Sequence, residues 1–133
     1  MRAADTSVVV AAFASWHENH ELARQALDRG LRLVELCALE TYSVLTRLPP
    51  PHRTASSIVR QFLQARFPQP YLRLTAARHR RFIFELPEHD VAGGAAYDGL
   101  VAATAAAFGA ELITCDRRAI AVYERYGVKA RLI

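Results

Sequence analysis

The sequence predicts an α/β fold, a sandwich of helices around a mostly parallel sheet, on three observations. Short apolar segments of strand length alternate with longer stretches whose apolar residues recur at helical spacing, the pattern of parallel strands joined by helical crossovers. The 133 residues suit one domain with one core, and 52% of them are hydrophobic, enough to fill it. No repeat, linker or low-complexity tail divides the chain, so residues 1–133 are expected to form a single domain.

In order, a short strand over about Arg2–Asp5 leads into a helix from about Ser7 to Ala14. A second helix runs from about Glu18 to Arg29 and stops at Gly30, a natural helix terminator. A strand, Leu31–Glu35, precedes a helix from about Cys37 to Leu48, which the prolines of "PPPHR" (Pro49–Arg53) end in a stiff loop. Thr54 is placed to cap a helix over Ala55–Phe67. "PQP" breaks the chain again before a short strand, Tyr71–Leu74, and a helix, Ala76–Leu86. Gly93-Gly94 opens a long helix to about Phe108, followed by a strand over Glu111–Thr114, a helix over Arg117–Tyr126 and a strand over Val128–Leu132.

Charge and cysteine content exclude several classes. Sixteen of the seventeen cations are arginine and one is Lys129. Arginine suits bidentate phosphate contacts, although high genomic GC content produces the same bias. A phosphate-binding loop of the Gly-x4-Gly-Lys type needs a Gly-Lys pair; none exists, and that route to nucleotide binding is excluded. Cys37 and Cys115 lie in apolar stretches without metal-site or disulfide spacing, so two buried free thiols in a reducing cytoplasm are expected. No signal-peptide pattern opens the chain. The longest uncharged runs, Val91–Tyr97 and Gly99–Ala110, are split by Asp98. Neither reaches the roughly 18–20 apolar residues of a membrane span, and no membrane partner is expected.

Four acids stand where such a fold places its sites. Asp5, the one acid among the first seventeen residues, and Asp116 each follow a strand and precede a helix. Helix capping explains either one singly, but both also sit at carboxyl ends of strands, where open α/β sheets bind ligands. Asp98 is the only charged residue from Val91 to Ala110, in a helix that is apolar almost all round and so is expected to be buried. An ionised carboxylate there is costly unless a buried donor or a metal meets it, and both readings stay open. Glu40 belongs to a polar stripe with positions 43 and 47 and by spacing alone reads as solvated. Hard oxygen ligands drawn from separate strand ends and helices suit Mg²⁺ or Mn²⁺, and magnesium favours a substrate phosphate among its ligands.

The segments "ADTSVVVAAF", "LETYSVLTRL", "AAYDGLVAATAAAFGAELITCD" and "YERYGV" resemble, in order, those of PIN-domain ribonucleases, and more narrowly of VapC-type toxins from toxin–antitoxin pairs. The resemblance spans nearly the whole chain; its first and third segments are the specific ones, and Pro49–His89 carries little of it. It implies a three-layer α/β/α PIN-like fold and a catalytic acid cluster of Asp5, Glu40, Asp98 and Asp116. Within that cluster it implies Mg²⁺ (or Mn²⁺) on Asp5, Asp98 and Asp116, with Thr6 and Thr114 in support. It further implies an RNA substrate, a small cognate antitoxin and a homodimer that enters a larger complex with that antitoxin.

Other signals are weaker. "HENHE" (His17–Glu21) fails as a zinc-protease helix, because that motif needs its second histidine four residues on and His20 follows by three; a solvated helix start is expected. "RHRRF" puts Arg78 and Arg81 on one face, as solvated surface or as a contact to RNA backbone. Arg117 and Arg118, beside Asp116, are better placed to meet a phosphate. A haloacid-dehalogenase-type phosphatase would need Asp-x-Asp after the first strand, where Ser7 fills the third place, and a catalytic lysine, for which Lys129 lies too near the C-terminus. A phospho-receiver domain would need an acidic pair at the first strand end, and none is present. A PIN-like module that binds RNA without cutting it remains the alternative, and the presence of all four acids argues against it.

Overall fold

The structure, a computed structural model, describes residues 1–133. Four strands, β1 (Arg2–Ala4), β2 (Arg32–Leu33), β3 (Glu111–Thr114) and β4 (Ala130–Leu132), form one sheet in the order β2-β1-β3-β4, all parallel. Ala3 pairs with Leu112 and Ala4 with Ile113, so Asp5 stands level with Thr114 at the carboxyl ends of the two strands. The expected strand at Tyr71–Leu74 contributes only a single bridge, Leu72 to Val34, because Pro70 and the turn into the next helix leave the ladder no length.

Seven helices join the strands: α1 (Thr6–Phe13), α2 (His20–Asp28), α3 (Glu35–Arg47), α4 (Ser56–Arg66), α5 (Ala76–Glu85), α6 (Ala95–Ala107) and α7 (Arg117–Arg125). Right-handed crossovers from β1 to β2 and from β3 to β4 advance in opposite directions along the sheet, which puts their helices on opposite faces. Accordingly α1 packs on α2 and α3, and α6 packs on α7. The buried cluster between the layers runs from Ala3, Val8 and Val9 through Leu33, Leu45 and Val59 to Leu112 and Tyr123. No helix is long and apolar enough to cross a membrane.

Element ends depart from expectation for local reasons. Gly30, at φ +85°, ends α2 as expected for a left-handed terminator. Thr54 does not cap α4: its hydroxyl donates to the His52 carbonyl, and the cap position falls to Ala55. A 3-10 turn, Leu86–His89, extends α5 where no helix was expected, with Pro87 in its first turn. The helix α6 begins at Ala95, after the glycine pair, because Gly93 takes φ +58°. It is buried on one face only; Tyr97, Ala106, Ala107 and Phe108 are exposed. Alanine counts as apolar in a periodicity but is small enough to face water at little cost, so the all-round apolar pattern overstates burial.

Candidate metal and active site

The sheet order places β1 and β3 next to each other while their crossovers depart in opposite directions, which opens a crevice at the carboxyl end of those two strands. A cavity of about 90 Å³ sits there, and all four predicted acids line it: Asp5, Glu40, Asp98 and Asp116. Thr6, Ser7, Cys37, Val101 and Tyr123 complete the wall. Four larger cavities, of about 220 to 390 Å³, lie elsewhere and hold no carboxylate cluster. The chemistry selects the small one.

Asp5 is 4% exposed. It caps α1, accepting the Val8 amide at 3.3 Å, and the same Oδ1 accepts the Ser7 hydroxyl at 2.5 Å. The other oxygen, Oδ2, accepts the Tyr123 phenol at 2.9 Å. Burial pushes its carboxyl above the ordinary range, and the hydrogen bonds from Ser7, Thr114, Tyr123 and Val8 oppose that shift. Tyr123 is raised as well, first by burial and then by the charge of Asp5, so it stays a donor.

Asp98 and Glu40 are half-buried and less well supplied. Glu40 has one long contact, from Thr6 Oγ1 at 3.4 Å, and burial raises its pKa, with the charges of Asp98 and Asp5 adding to the shift. Asp98, in the first turn of α6, is raised by burial and then by the charges of Asp116 and Asp5. None of the four acids is in an ion pair; the pairs join Glu21, Asp28, Glu35 and Glu111 to arginines elsewhere. Asp116 caps α7 through the Arg118 amide at 2.9 Å and stands exposed at the cavity mouth. The capping role expected of Asp5 and Asp116 and their place in the cavity coexist, since a carboxylate has several lone pairs.

Thr114 is fully buried and accepts the Asp116 amide at 2.9 Å, which ties the end of β3 to the start of α7. Two residues that the sequence reading passed over complete this frame. Ser7 accepts the Cys115 amide at 2.8 Å while bonding Asp5, so it clips the two strand ends together. Tyr123 reaches Asp5 from α7 across 118 positions of sequence. Its signal lay in the apolar spacing of α7, which marks it as core without saying what its hydroxyl meets. Cys37 is buried and free as expected; Cys115 is free but only half-buried, its thiol pushed up to about 11 by burial. The segment His17–Glu21 is a helix start, with Glu18 and Glu21 in solvent and the two histidines partly covered: His17 Nδ1 accepts the Asn19 amide, and His20 Nδ1 pairs with the Ala11 carbonyl at 2.9 Å.

The predicted arginines divide. Arg117 and Arg118 open α7 in solvent next to Asp116. Arg78 and Arg81, on α5, line a separate cavity of about 380 Å³ with Phe82, Glu85, His89 and Tyr126.

The donor set is four carboxylates with hydroxyl neighbours and no arginine, lysine or histidine on the wall, in a chain whose net charge is +4. A hard divalent cation fits that set. No three His, Cys, Asp or Glu side chains are drawn together tightly enough to enclose an ion by themselves.

Comparison with known proteins agrees with this geometry. The PIN-domain family profile matches residues 3–125. Ribonuclease VapC40 of Mycobacterium tuberculosis (strain CDC 1551 / Oshkosh) is 53% identical over 133 residues, covering 100% of this chain and 99% of the relative. Ribonuclease VapC27 of Mycobacterium tuberculosis (strain ATCC 25618 / H37Rv) is 39% identical over 127 residues, 95% of this chain and 92% of the relative. The crystal structure of FitAcB from Neisseria gonorrhoeae shares the fold at a TM-score of 0.70, covering 98% of this chain and 96% of that one at 18% identity. With four acids gathered at the switch point of a parallel sheet and full-length similarity to two named ribonucleases, the chain belongs to the PIN-domain family, within its VapC group.

Proposed function

We propose that the protein is a divalent-metal-dependent ribonuclease, the toxin of a toxin–antitoxin pair, with Mg²⁺ as its ion and Mn²⁺ as a substitute. One observation carries the reading: four carboxylates share a cavity of about 90 Å³ with no cationic side chain on its wall. When bound, the cation supplies positive charge to a phosphodiester and acidifies water beside it. Asp98 and Asp116 would hold it with lone pairs that no ion pair occupies. Asp5, fixed by Ser7, Val8 and Tyr123, anchors the inner side. Glu40, its pKa raised by burial, is poised to take the proton of an attacking water. Thr6 orients Glu40, and Thr114 holds the strand end that presents Asp116. Arg117 and Arg118 bind phosphates beside the cut.

The VapC relationship extends the reading to partners: a small cognate antitoxin over the site, and a homodimer that joins it in a larger complex. The test is to express the chain without a partner and map new RNA ends. Growth arrest and cleavage are expected with Mg²⁺ or Mn²⁺, leaving 5′-phosphate and 3′-hydroxyl ends because water is the nucleophile. Asp5→Asn and Asp98→Asn should abolish both effects. Cyclic 2′,3′-phosphate ends, full activity in EDTA, or undiminished toxicity of the variants at equal abundance would sink the proposal.

A further inference from the structure

From Thr41 to Phe84 the chain contains no aspartate or glutamate, while eight arginines fall within that stretch. Two of the eight enter ion pairs, Arg66 with Asp28 and Arg73 with Glu35. Where this stretch begins, nearest in sequence to Glu40, stand Arg47 in the last turn of α3 and His52 and Arg53 in the loop after it, all exposed. The single tryptophan of the chain meets them there. Trp16, between α1 and α2, is 52% exposed, and its ring lies against that of His52, with centroids 4.4 Å apart and planes 36° from parallel.

Both loops are held in place. Thr54 N donates to the Leu45 carbonyl at 2.9 Å, His52 N to Pro49 at 3.0 Å, and Arg53 Nε to Leu48 at 2.9 Å. Across from them, His17 N donates to the Ala14 carbonyl at 2.9 Å and Asn19 N to His17 Nδ1 at 3.0 Å. An aromatic pair ordered in advance loses little freedom when a flat ligand settles on it. The pair is also linked to the acid cavity from two directions. Glu40 and Arg47 share one stripe of α3, about 10 Å apart at the helical rise. The loop that carries Trp16 follows α1, whose cap, Asp5, stands in the cavity.

We propose that the Trp16–His52 pair is a stacking platform for an unpaired base of single-stranded RNA, a few nucleotides from the cut, with Arg47 and Arg53 holding the phosphates between. The proposal rests on the ribonuclease reading for its substrate. Every base has a π-face, so aromatic stacking beside a basic track is how single strands are gripped without regard to sequence. In a duplex those faces are covered, so the platform selects unpaired segments. On the His52 side the exposed neighbours are arginine and proline rather than leucine or isoleucine, and the exposed Glu18 is the one acid on the Trp16 loop, a balance that favours RNA over an apolar peptide as the occupant.

Because Trp16 is the only tryptophan, its emission reports on the platform directly. In the Asp98→Asn protein, which leaves the probe intact, a short single-stranded oligoribonucleotide of mixed sequence should quench that emission saturably, and the same sequence as a duplex should not. His52→Ala should weaken binding about tenfold, as should Trp16→Ala read by probe anisotropy, while Trp16→Phe keeps most of the affinity. In otherwise wild-type protein, Trp16→Ala should raise KM for RNA cleavage and leave kcat nearly unchanged. Melting temperatures of the variants, with Trp16→Phe as the conservative control, separate loss of stacking from loss of fold. Emission indifferent to single-stranded RNA, or equal affinities for wild type and Trp16→Ala, would overturn the platform, as would quenching by the cognate antitoxin alone. Failure of the wild type to cleave RNA with any divalent metal would defeat the ribonuclease reading instead, and quenching in that same protein would still uphold the platform.

Discussion

Tyr123 donates to a carboxylate that is 4% exposed, and this bond is among the few things that make a charge at Asp5 tolerable. Tyr123→Phe should cost about 1.5–3 kcal/mol, the range for a hydrogen bond to a charged group, and should weaken Mg²⁺ binding, both read by thermal melting with and without the metal. Asp98 behaves in the opposite sense. Its pKa is raised, first by burial and then by the charges of Asp116 and Asp5, so its ionised form opposes folding when no cation is present. In EDTA at neutral pH, Asp98→Asn should melt at or above the wild type. Saturating Mg²⁺ should reverse the order, since a ligand at a hundred times its Kd stabilises by about 2.7 kcal/mol and the variant gains little of it. The pH dependence follows from the same residues. Asp5, Glu40 and Asp98 are all raised, so the folded state holds protons that the unfolded chain has released. Their contribution is complete below the unfolded values, about 4, and fades as pH rises through the folded ones. The metal-free wild type should therefore lose stability as pH rises above the unfolded carboxylate values, a fall that shrinks in Asp98→Asn. A pH profile identical in the two proteins would show that Asp98 carries no such strain.

At the level of elements, Asp116 joins a helix cap to a site, and substitution can separate the two. Asparagine caps as well as aspartate, whereas alanine does not. Asp116→Asn should melt close to wild type in EDTA yet lose cleavage, and Asp116→Ala should lose cleavage together with about 1 kcal/mol of stability. Thr75 supplies the comparison, because it caps α5 through the Arg78 amide at 3.2 Å and lies outside the carboxylate cavity. Thr75→Ala should lose about 1 kcal/mol by melting and keep its cleavage rate. The caps also show where local signals mislead: Thr54 is as suitable a cap residue as Thr75, but its hydroxyl is drawn to the His52 carbonyl inside the proline loop.

For the molecule as a whole, charge is segregated: four acids with no cationic side chain among them at the switch point of the sheet, in a chain of net charge +4. Binding of single-stranded RNA by the Asp98→Asn protein should weaken as salt rises, with each phosphate contact contributing about 0.7 to the logarithmic slope. Replacing Arg117 and Arg118 by alanine should flatten that slope. Replacing Arg78 and Arg81 should leave it unchanged, since they line a separate cavity with Glu85 among its walls. Equal effects from the two pairs would place the RNA path over α5 instead.

Much of this was legible in one dimension. The alternation of strand and helix periods determined the parallel α/β architecture, and the junction positions of Asp5 and Asp116 marked both as caps and as site candidates before any contact was known. The lone charge of α6 singled out Asp98 for the same local reason. Glu40 was different, because on its own helix it reads as a solvated stripe, and only the packing of α3 against α1 and α6 half-buries it beside Asp98. The tertiary structure alone decided that Ser7 clips two strand ends, that Tyr123 reaches Asp5 across 118 positions, and that Trp16 meets His52. The physical reason is one of range: helix periods and caps are set within a few residues, whereas the partner of a buried hydroxyl or ring is set by which elements the sheet order brings together.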